Sequence, residues 1–251
     1  MKAFLLAAGM GSRLRPITDT VPKCMLDIDG RPLLDIWLDA FDRAGIDEVL
    51  VNLHHLPDVV RRHLGTRAGP PAVRTFFEPE LIGSAGTLAA NRAWVAGEDM
   101  FMACYADNLT DFDLRSLVQA HQEYRPIATL TVFHSERPSA GGVVELDAAG
   151  MMTSFAEKPS HPVSDLVNAG MYAFHPSVLD EIGPPPSDIG YDLLPRLVGR
   201  ARAVPVQGYL RDVGTIDGKL FGAVAFTRTP RDANSVAMWP VSWSSAALDA
   251  A

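Results

Sequence analysis

The chain has 251 residues, 47% of them hydrophobic and 21% charged, with a formal net charge of -8. This balance describes an ordinary soluble globular protein large enough to bury a real core, as one sizeable domain or two small ones. The acidic charge argues against sequence-independent binding to nucleic acid, which needs a basic face, but it leaves room for one nucleotide in a locally basic pocket.

In chain order, Lys2 to Ala7 reads as a short apolar strand buried on both faces. A glycine-rich loop follows, and then a helix over Pro32 to Ala44, ending at Gly45. "EVLVNL" (48–53) is a strand, and "PDVVRRHLG" (57–65) is a helix with proline at its start and glycine at its end. "AVRTFF" (72–77) is a strand, Ser84 to Ala96 a helix, and "MFMACYA" (100–106) a strand. Asp113 caps a helix running to Tyr124, and "IATLTVF" (127–133) is again a strand. The alternation predicts a doubly wound, mostly parallel, Rossmann-like α/β sheet with right-handed crossovers.

The rhythm then changes. Residues 141–159 read as a hairpin turning at Asp147 to Gly150, "NAGMYAFH" (168–175) as a strand, and "GYDLLPRLVG" (190–199) as a short helix. "RAVPVQG" (202–208) and "YLRDVGT" (209–215) are strands, the second leading into a helix from Ile216. Strands without crossover helices predict a mixed extension of the same sheet. One domain over 1–226 is expected. The aperiodic tail, 227–251, is expected to be loose or packed on a partner through its tryptophans.

Cys24 and Cys104 are the only cysteines, and no C-x-x-C pair is present, which points to a reducing compartment. The N-terminal apolar run is too short for a signal peptide, and no run approaches membrane-spanning length. A cytoplasmic protein that does not engage membrane is expected.

Three phosphate-binding loops compete for "AAGMGSRLRP" (7–16). The dinucleotide fingerprint needs a third glycine where Leu14 stands, and the Walker loop needs a Gly-Lys-Ser/Thr that is missing. The third is a glycine loop that wraps a nucleoside triphosphate and brings an arginine onto its phosphates. An ordinary strand-to-loop turn with a solvated arginine stands beside it.

Extended to residues 6–35, "LAAGMGSRLRPITDTVPKCMLDIDGRPLLD" resembles the signature of the sugar-1-phosphate nucleotidylyltransferases. Later segments agree in order: "IGSAGTL" (82–88), "YADN" (105–108), "FAEKP" (155–159), "NAGMYAF" (168–174) and "RDVGT" (211–215). The resemblance covers roughly residues 1–226 and implies the doubly wound sheet read above. The chain is too short for the C-terminal β-helix domain of some members. Two departures occur: Pro22-Lys23-Cys24 stands for the usual Pro-Lys-Pro, and Ala106-Asp107 for Gly-Asp.

The resemblance implies attack by a sugar 1-phosphate oxygen on the α-phosphorus of a nucleoside triphosphate, releasing pyrophosphate. The nucleophile is already an anion, so the protein must position two polyanions and neutralise their repulsion. On this reading Arg13, Lys23 and Asp107 are the catalytic residues. Arg13 clamps the triphosphate, and Lys23 is a point charge near the reacting phosphates. Leu6, Ala8, Gly9, Gly11, Ser12, Arg13, Glu78, Gly83 and Ser84 hold the nucleotide. Asp107, Gly142, Glu157, Lys158, Asn168 and Thr215 address the sugar phosphate, with Thr215 helping to hold Asp212. Asp107 and Asp212 are expected to bind Mg²⁺. The bland alternative has Asp107 capping a turn and Asp212 pairing with Arg211.

His54-His55 reads as a strand-end or surface pair, not zinc ligands, and Tyr191 and Asp192 as bordering the sugar pocket or simply packing. Relatives suggest a homodimer. A carboxylate at Glu78, where uridylyl-transferring relatives carry a glutamine, matches the two adjacent donors of guanine and predicts GTP. The sugar itself is not readable. A non-catalytic nucleotide-sugar-binding regulatory relative is the alternative of another class, a nicotinamide-dependent oxidoreductase fails for want of the G-x-G-x-x-G loop, and within the same reaction UTP or dTTP with another sugar or cyclitol phosphate is the alternative.

Overall fold

The structure, a computed structural model, describes residues 1–214. Thr215, the helix expected from Ile216 and the tail 227–251 lie outside the described residues. The elements are β1 (Lys2–Leu6), β2 (Asp27–Ile28), β3 (Arg31–Pro32), α1 (Leu33–Arg43), β4 (Glu48–Leu53), α2 (Pro57–Thr66), β5 (Ala72–Phe77), α3 (Ser84–Ala90) and α4 (Arg92–Val95). They continue with β6 (Phe101–Tyr105), β7 (Asn108–Thr110), α5 (Leu114–Tyr124), β8 (Ala128–His134), β9 (Gly142–Leu146), β10 (Met152–Glu157), β11 (Leu166–Phe174), β12 (Ala201–Pro205) and β13 (Leu210–Asp212).

Nine strands form one mixed sheet in the order β10-β9-β11-β6-β1-β4-β5, with β8 along the other edge of β11 and β12 beyond it. β1, β4, β5 and β6 are mutually parallel, and β8, β9 and β12 point the same way; only β10 and β11 oppose them. β11 joins the two halves of the sheet. Met171–Phe174 pair with β6, Val167 meets β9, and the register on β8 shifts between Asn168 and Tyr172. The predicted fold class is therefore present, with the non-crossover strands forming the mixed extension.

Strand side chains alternate between two apolar layers, as the pleat requires. Ala3, Leu5, Val49, Val51, Met102 and Cys104 face α1 and α5 through Leu34, Leu38, Phe41 and Leu117. Phe4, Leu50, Phe101, Ala103, Tyr172 and Phe174 face the opposite layer, with Ala85 and Leu88 of α3 and Val95 of α4. Phe4 is fully buried and takes Trp94 and Phe101 edge-on at 5.1 and 5.6 Å. No helix among the described residues is long and apolar enough to cross a membrane.

Two elements differ from expectation for local reasons. The helix expected over Ser84 to Ala96 breaks at Asn91, whose φ of -110° and ψ of 21° leave the helical region while its Nδ2 donates to Thr87 O. The helix expected at 190–199 is a π turn, Ile189–Leu193, passing into a 3₁₀ turn, Leu194–Leu197. Pro195 offers no N–H there to continue an α-helical ladder. β2, β3 and β7 are too short to read from periodicity.

Candidate active site

The chain winds from β1 outward to β4 and β5, then returns to β6 on the other side of β1. Open α/β sheets hold ligands at such a switch, beyond the strands' carboxyl ends. A cleft of about 280 Å³ lies there. Its wall is Leu6, Ala7, Ala8 and Gly9 after β1, Lys23 and Cys24, Asn52 of β4, Glu78 after β5, Leu81, Gly83 and Ser84, and Tyr105, Ala106 and Asp107 at the end of β6.

The first loop is tied from below. Ala7 N donates to Asn52 Oδ1 at 2.6 Å. Gly11 has φ +62° and opens the 3₁₀ turn Ser12–Leu14, whose Leu14 is fully buried. Thr18 Oγ1 donates to Gly11 O at 2.8 Å, and His55 Nε2 lies 2.6 Å from Thr18 O. A Cβ on Gly11 would come within 2.7 Å of Thr18 Cγ2, whereas one on Gly9 meets nothing within 4 Å. The requirement for glycine at position 11 is thus internal to the loop, and Gly9 alone is bare toward open space. Gly11, Ser12 and Arg13 are not part of the cleft wall. Ser12 and Arg13 are exposed on the turn, and Arg13 makes no hydrogen bond or ion pair among the described residues.

Glu78 is 2% exposed and its carboxylate is already engaged. Oε1 accepts from Asn52 Nδ2 at 2.8 Å and from Thr87 Oγ1 at 2.6 Å. Oε2 receives only the Ile82 amide, at 3.4 Å. The two-oxygen grip on guanine expected from sequence therefore reduces to one available oxygen. Asn52 and Thr87 are buried and joined to Glu78; Thr87 falls within the segment 82–88, whereas Asn52 carries no sequence motif and only the fold brings it to the carboxylate. His54 Nδ1 lies 2.7 Å from Glu78 O, so each of the paired histidines is used by a backbone carbonyl.

At the other end of the cleft Lys23 Nζ lies 2.5 Å from Asp107 Oδ2 and 3.7 Å from Asp212 Oδ1. The two aspartates approach because β7 and β13 pair antiparallel, setting Asp212 opposite Asn108. Val213 N donates to Asp107 O at 2.9 Å, and Gly214 N to Asp212 Oδ1 at 2.6 Å. Ala106 is buried at 2%, so Asp107 keeps its place with alanine where glycine is usual in the resemblance.

A second group of polar residues adjoins the cleft through Ser84. Ser84 Oγ donates to Asp188 Oδ2 at 2.7 Å and accepts from Tyr105 Oη at 3.0 Å and from Ile189 N at 2.8 Å. Asp188 also caps the π turn, its Oδ1 accepting from Gly190 N and Tyr191 N. Glu157 Oε2 reaches under this turn, and a Cβ on Gly190 or Gly142 would come within 2.5 or 2.7 Å of it. Both positions therefore need glycine for the carboxylate to approach.

Burial raises the Glu157 carboxyl above its ordinary pKa, with Asp188 adding to this and Lys158 opposing it. The Lys158 ammonium stands 3.7 Å from Glu157 and over the Tyr191 ring. Asn168 Nδ2 donates to the buried Tyr172 Oη at 2.6 Å, and Gly170 N donates to Asn168 Oδ1. Gly83 and Ser84 line the cleft, Gly83 with φ +82° and packed on Ser187 backbone. The structure thus joins Gly142, Glu157 and Lys158 in one cluster, with Asn168 on the neighbouring strand. Asp188, Gly190 and Tyr105 belong with them, although sequence reasoning gave them no role. Asp192 caps the same turn by accepting from Asp188 N. Thr215 lies outside the described residues.

Comparison with known proteins gives the family and the fold. Residues 2–228 match the nucleotidyl transferase family. Mannose-1-phosphate guanylyltransferase catalytic subunit beta of Xenopus tropicalis is 32% identical over 237 residues, covering 92% of this chain and 66% of its own length. The protein of the same description from Drosophila melanogaster is 32% identical over 239 residues, covering 93% of this chain and 65% of its own. The chain thus spans just under two thirds of the length of these relatives.

Two solved structures share the fold, each with TM-score 0.79 and 22% identity. One is a putative glucose-1-phosphate thymidylyltransferase from Bacillus anthracis, matching 92% of this chain and 96% of its own. The other is a UDP-glucose pyrophosphorylase complexed with UDP-glucose, matching 90% and 98%. With the sheet, the switch-point cleft and the family match over nearly all the described residues, the chain belongs to the nucleotidyl transferase family.

Proposed function

We propose that the protein transfers a guanylyl group from GTP to a sugar 1-phosphate, with mannose 1-phosphate as first candidate, giving GDP-sugar and pyrophosphate. The observation that carries the reading is Lys23 between Asp107 and Asp212, at one end of a cleft whose other end holds Glu78. The relatives' descriptions supply the sugar and the base. Arg13, Lys23 and Asp107, which a non-catalytic relative would be free to lose, are all present.

In the reaction a phosphate oxygen of the sugar 1-phosphate forms a bond to the α-phosphorus as the bond to the pyrophosphate oxygen breaks. No proton need be removed from the nucleophile, so no base is required. Bare backbone at Gly9 admits the phosphates, and Arg13 supplies a planar donor fork that has no partner among the described residues to give up. Lys23 supplies a mobile point charge between the reacting groups. Lys158 meets the sugar's phosphate, while Glu157 accepts from a ring hydroxyl.

The donor set fits magnesium: Asp107, in the turn between β6 and β7, and Asp212, at the end of β13, present hard oxygens 35% and 52% exposed, and Val213 N ties the two segments by donating to Asp107 O. No cluster of three or more metal-binding side chains forms among the described residues, so phosphate oxygens and water would complete the shell. When bound, the ion supplies charge neutralisation between the two phosphates.

The test is pyrophosphate release from each nucleoside triphosphate against a panel of sugar 1-phosphates, with Mg²⁺. GTP with mannose 1-phosphate is expected to be fastest. Release with UTP or dTTP as rapid as with GTP sinks the base assignment; no release from any pair sinks the catalytic reading.

A further inference from the structure

Lys23 holds the place between the two aspartates, its Nζ 2.5 Å from Asp107 Oδ2 and 3.7 Å from Asp212 Oδ1. Its root is fixed: the 3₁₀ turn Lys23–Met25 is closed by Met25 N donating to Pro22 O at 2.8 Å, over a buried Cys24. Its side chain is only 11% exposed, less than either aspartate, at 35% and 52%. The Asp212 carboxylate is held independently of it by Gly214 N, and Asp107 is held through its backbone, whose carbonyl accepts from Val213 N at 2.9 Å. Space around the ammonium is tight, since a Cβ on Gly214 would lie 2.5 Å from Asp212 Oδ1 and 2.6 Å from Lys23 Nζ.

From this geometry we infer that Lys23 is a resident counter-ion that keeps the carboxylate pair closed to free divalent metal until a triphosphate draws the ammonium away. The inference rests on the reading of Asp107 and Asp212 as the metal-binding pair. Two carboxylates with one ammonium between them carry a single net negative charge. A dication entering the pair meets the ammonium at contact distance and must expel it. A lysine can leave: the charge rides on a flexible four-carbon stem, and triphosphate oxygens offer it a stronger counter-charge. The metal then enters with the nucleotide. One side chain serves as the counter-ion of the empty site and, once displaced, as the cation on the reacting phosphates.

The experiment is titration of the full chain with Mn²⁺ in the absence of nucleotide, reading free Mn²⁺ by electron paramagnetic resonance. Wild type is compared with Lys23→Met and with Lys23→Met/Asp212→Asn, and metal-free and metal-loaded melting is recorded for each. Lys23→Met is expected to bind Mn²⁺ about tenfold more tightly than wild type, a discounted gain for a partly exposed pair. Its metal-free melting point should fall and recover with Mn²⁺, and Asp212→Asn should abolish the gain. If Lys23→Met binds no tighter while the double variant loses binding, the aspartates are ligands but the lysine does not guard them, and the proposal fails alone. Equal binding by both variants removes the metal reading and the proposal together. Should Lys23→Met not fold, Lys23→Gln is read by the same outcomes.

Discussion

Glu78→Gln reverses the polarity of one atom at the base end of the cleft. The side chain keeps its shape, and Oε1 stays where Asn52 Nδ2 and Thr87 Oγ1 donate to it, because an amide nitrogen there would face the Asn52 donor. The amide NH₂ therefore takes the place of Oε2, the atom with only the Ile82 amide at 3.4 Å. An acceptor for guanine N1–H or N2–H₂ becomes a donor, which suits a uracil carbonyl instead. Only one oxygen is available in the wild type, so the loss is one hydrogen bond to a charged group, about 1.5–3 kcal/mol. That corresponds to roughly tenfold to a little over a hundredfold in the ratio of kcat/KM for GTP to that for UTP. The assay is continuous pyrophosphate release with both triphosphates and one fixed sugar 1-phosphate, with melting curves to verify the fold. A ratio unchanged within about twofold, in a folded variant, would show that Glu78 belongs to the wall of the cleft and not to base recognition.

Four further outcomes follow from particular contacts. Gly9→Ala should leave melting unchanged and raise the nucleotide KM, since its Cβ meets nothing in the protein. Gly11→Ala should cost about 1–2 kcal/mol of stability from its φ of +62° and the Thr18 contact, with partial rescue by Thr18→Ser; equal melting points for the two alanine variants refute this. Glu157→Gln should raise the sugar-phosphate KM without lowering stability at pH 7.5. The carboxyl's raised pKa means its contribution to stability falls as pH climbs above 4.5, so melting curves of the two proteins should converge in acid; a less stable glutamine variant at pH 7.5 contradicts the burial argument. His121 is buried against Thr129 and held neutral, its pKa lowered by burial from 6.5 to about 4, with His175 adding to the shift. Its contribution is present above pH 6.5 and is lost as pH falls toward 4, up to about 3 kcal/mol; His121→Met should flatten that limb of the stability profile, and parallel profiles count against it.

The parts of the site legible in the sequence are those whose chemistry is carried by neighbouring residues. Gly9 and Lys23 fall within one motif and both line the cleft, whereas Gly11 and Arg13 of the same motif stand outside its wall. Asp107 follows one recognisable strand and Asp212 ends another. That they meet at one lysine depends on β13 pairing with β7, a strand of three residues that no periodicity announces. Gly11 was legible as a glycine but not for its reason, because Thr18, its nearest neighbour, acts through loop packing.

Other positions act only through the fold. Asn52 orients Glu78 because Ala7 N–H fixes its Oδ1, which turns its Nδ2 toward the carboxylate across 26 residues of chain. Asp188 reaches Ser84 across 104 residues. Through that bond the start of α3, which lines the cleft, is tied to the turn that covers Glu157. The start of α3 and the turn packed on Glu157 therefore move together through one part-buried hydrogen bond. For the proposed reaction, whose catalysis is the alignment of two phosphates, such a tie keeps the two sides of the site in step. No local pattern advertises it, because Asp188 in isolation is an ordinary cap of a short helix.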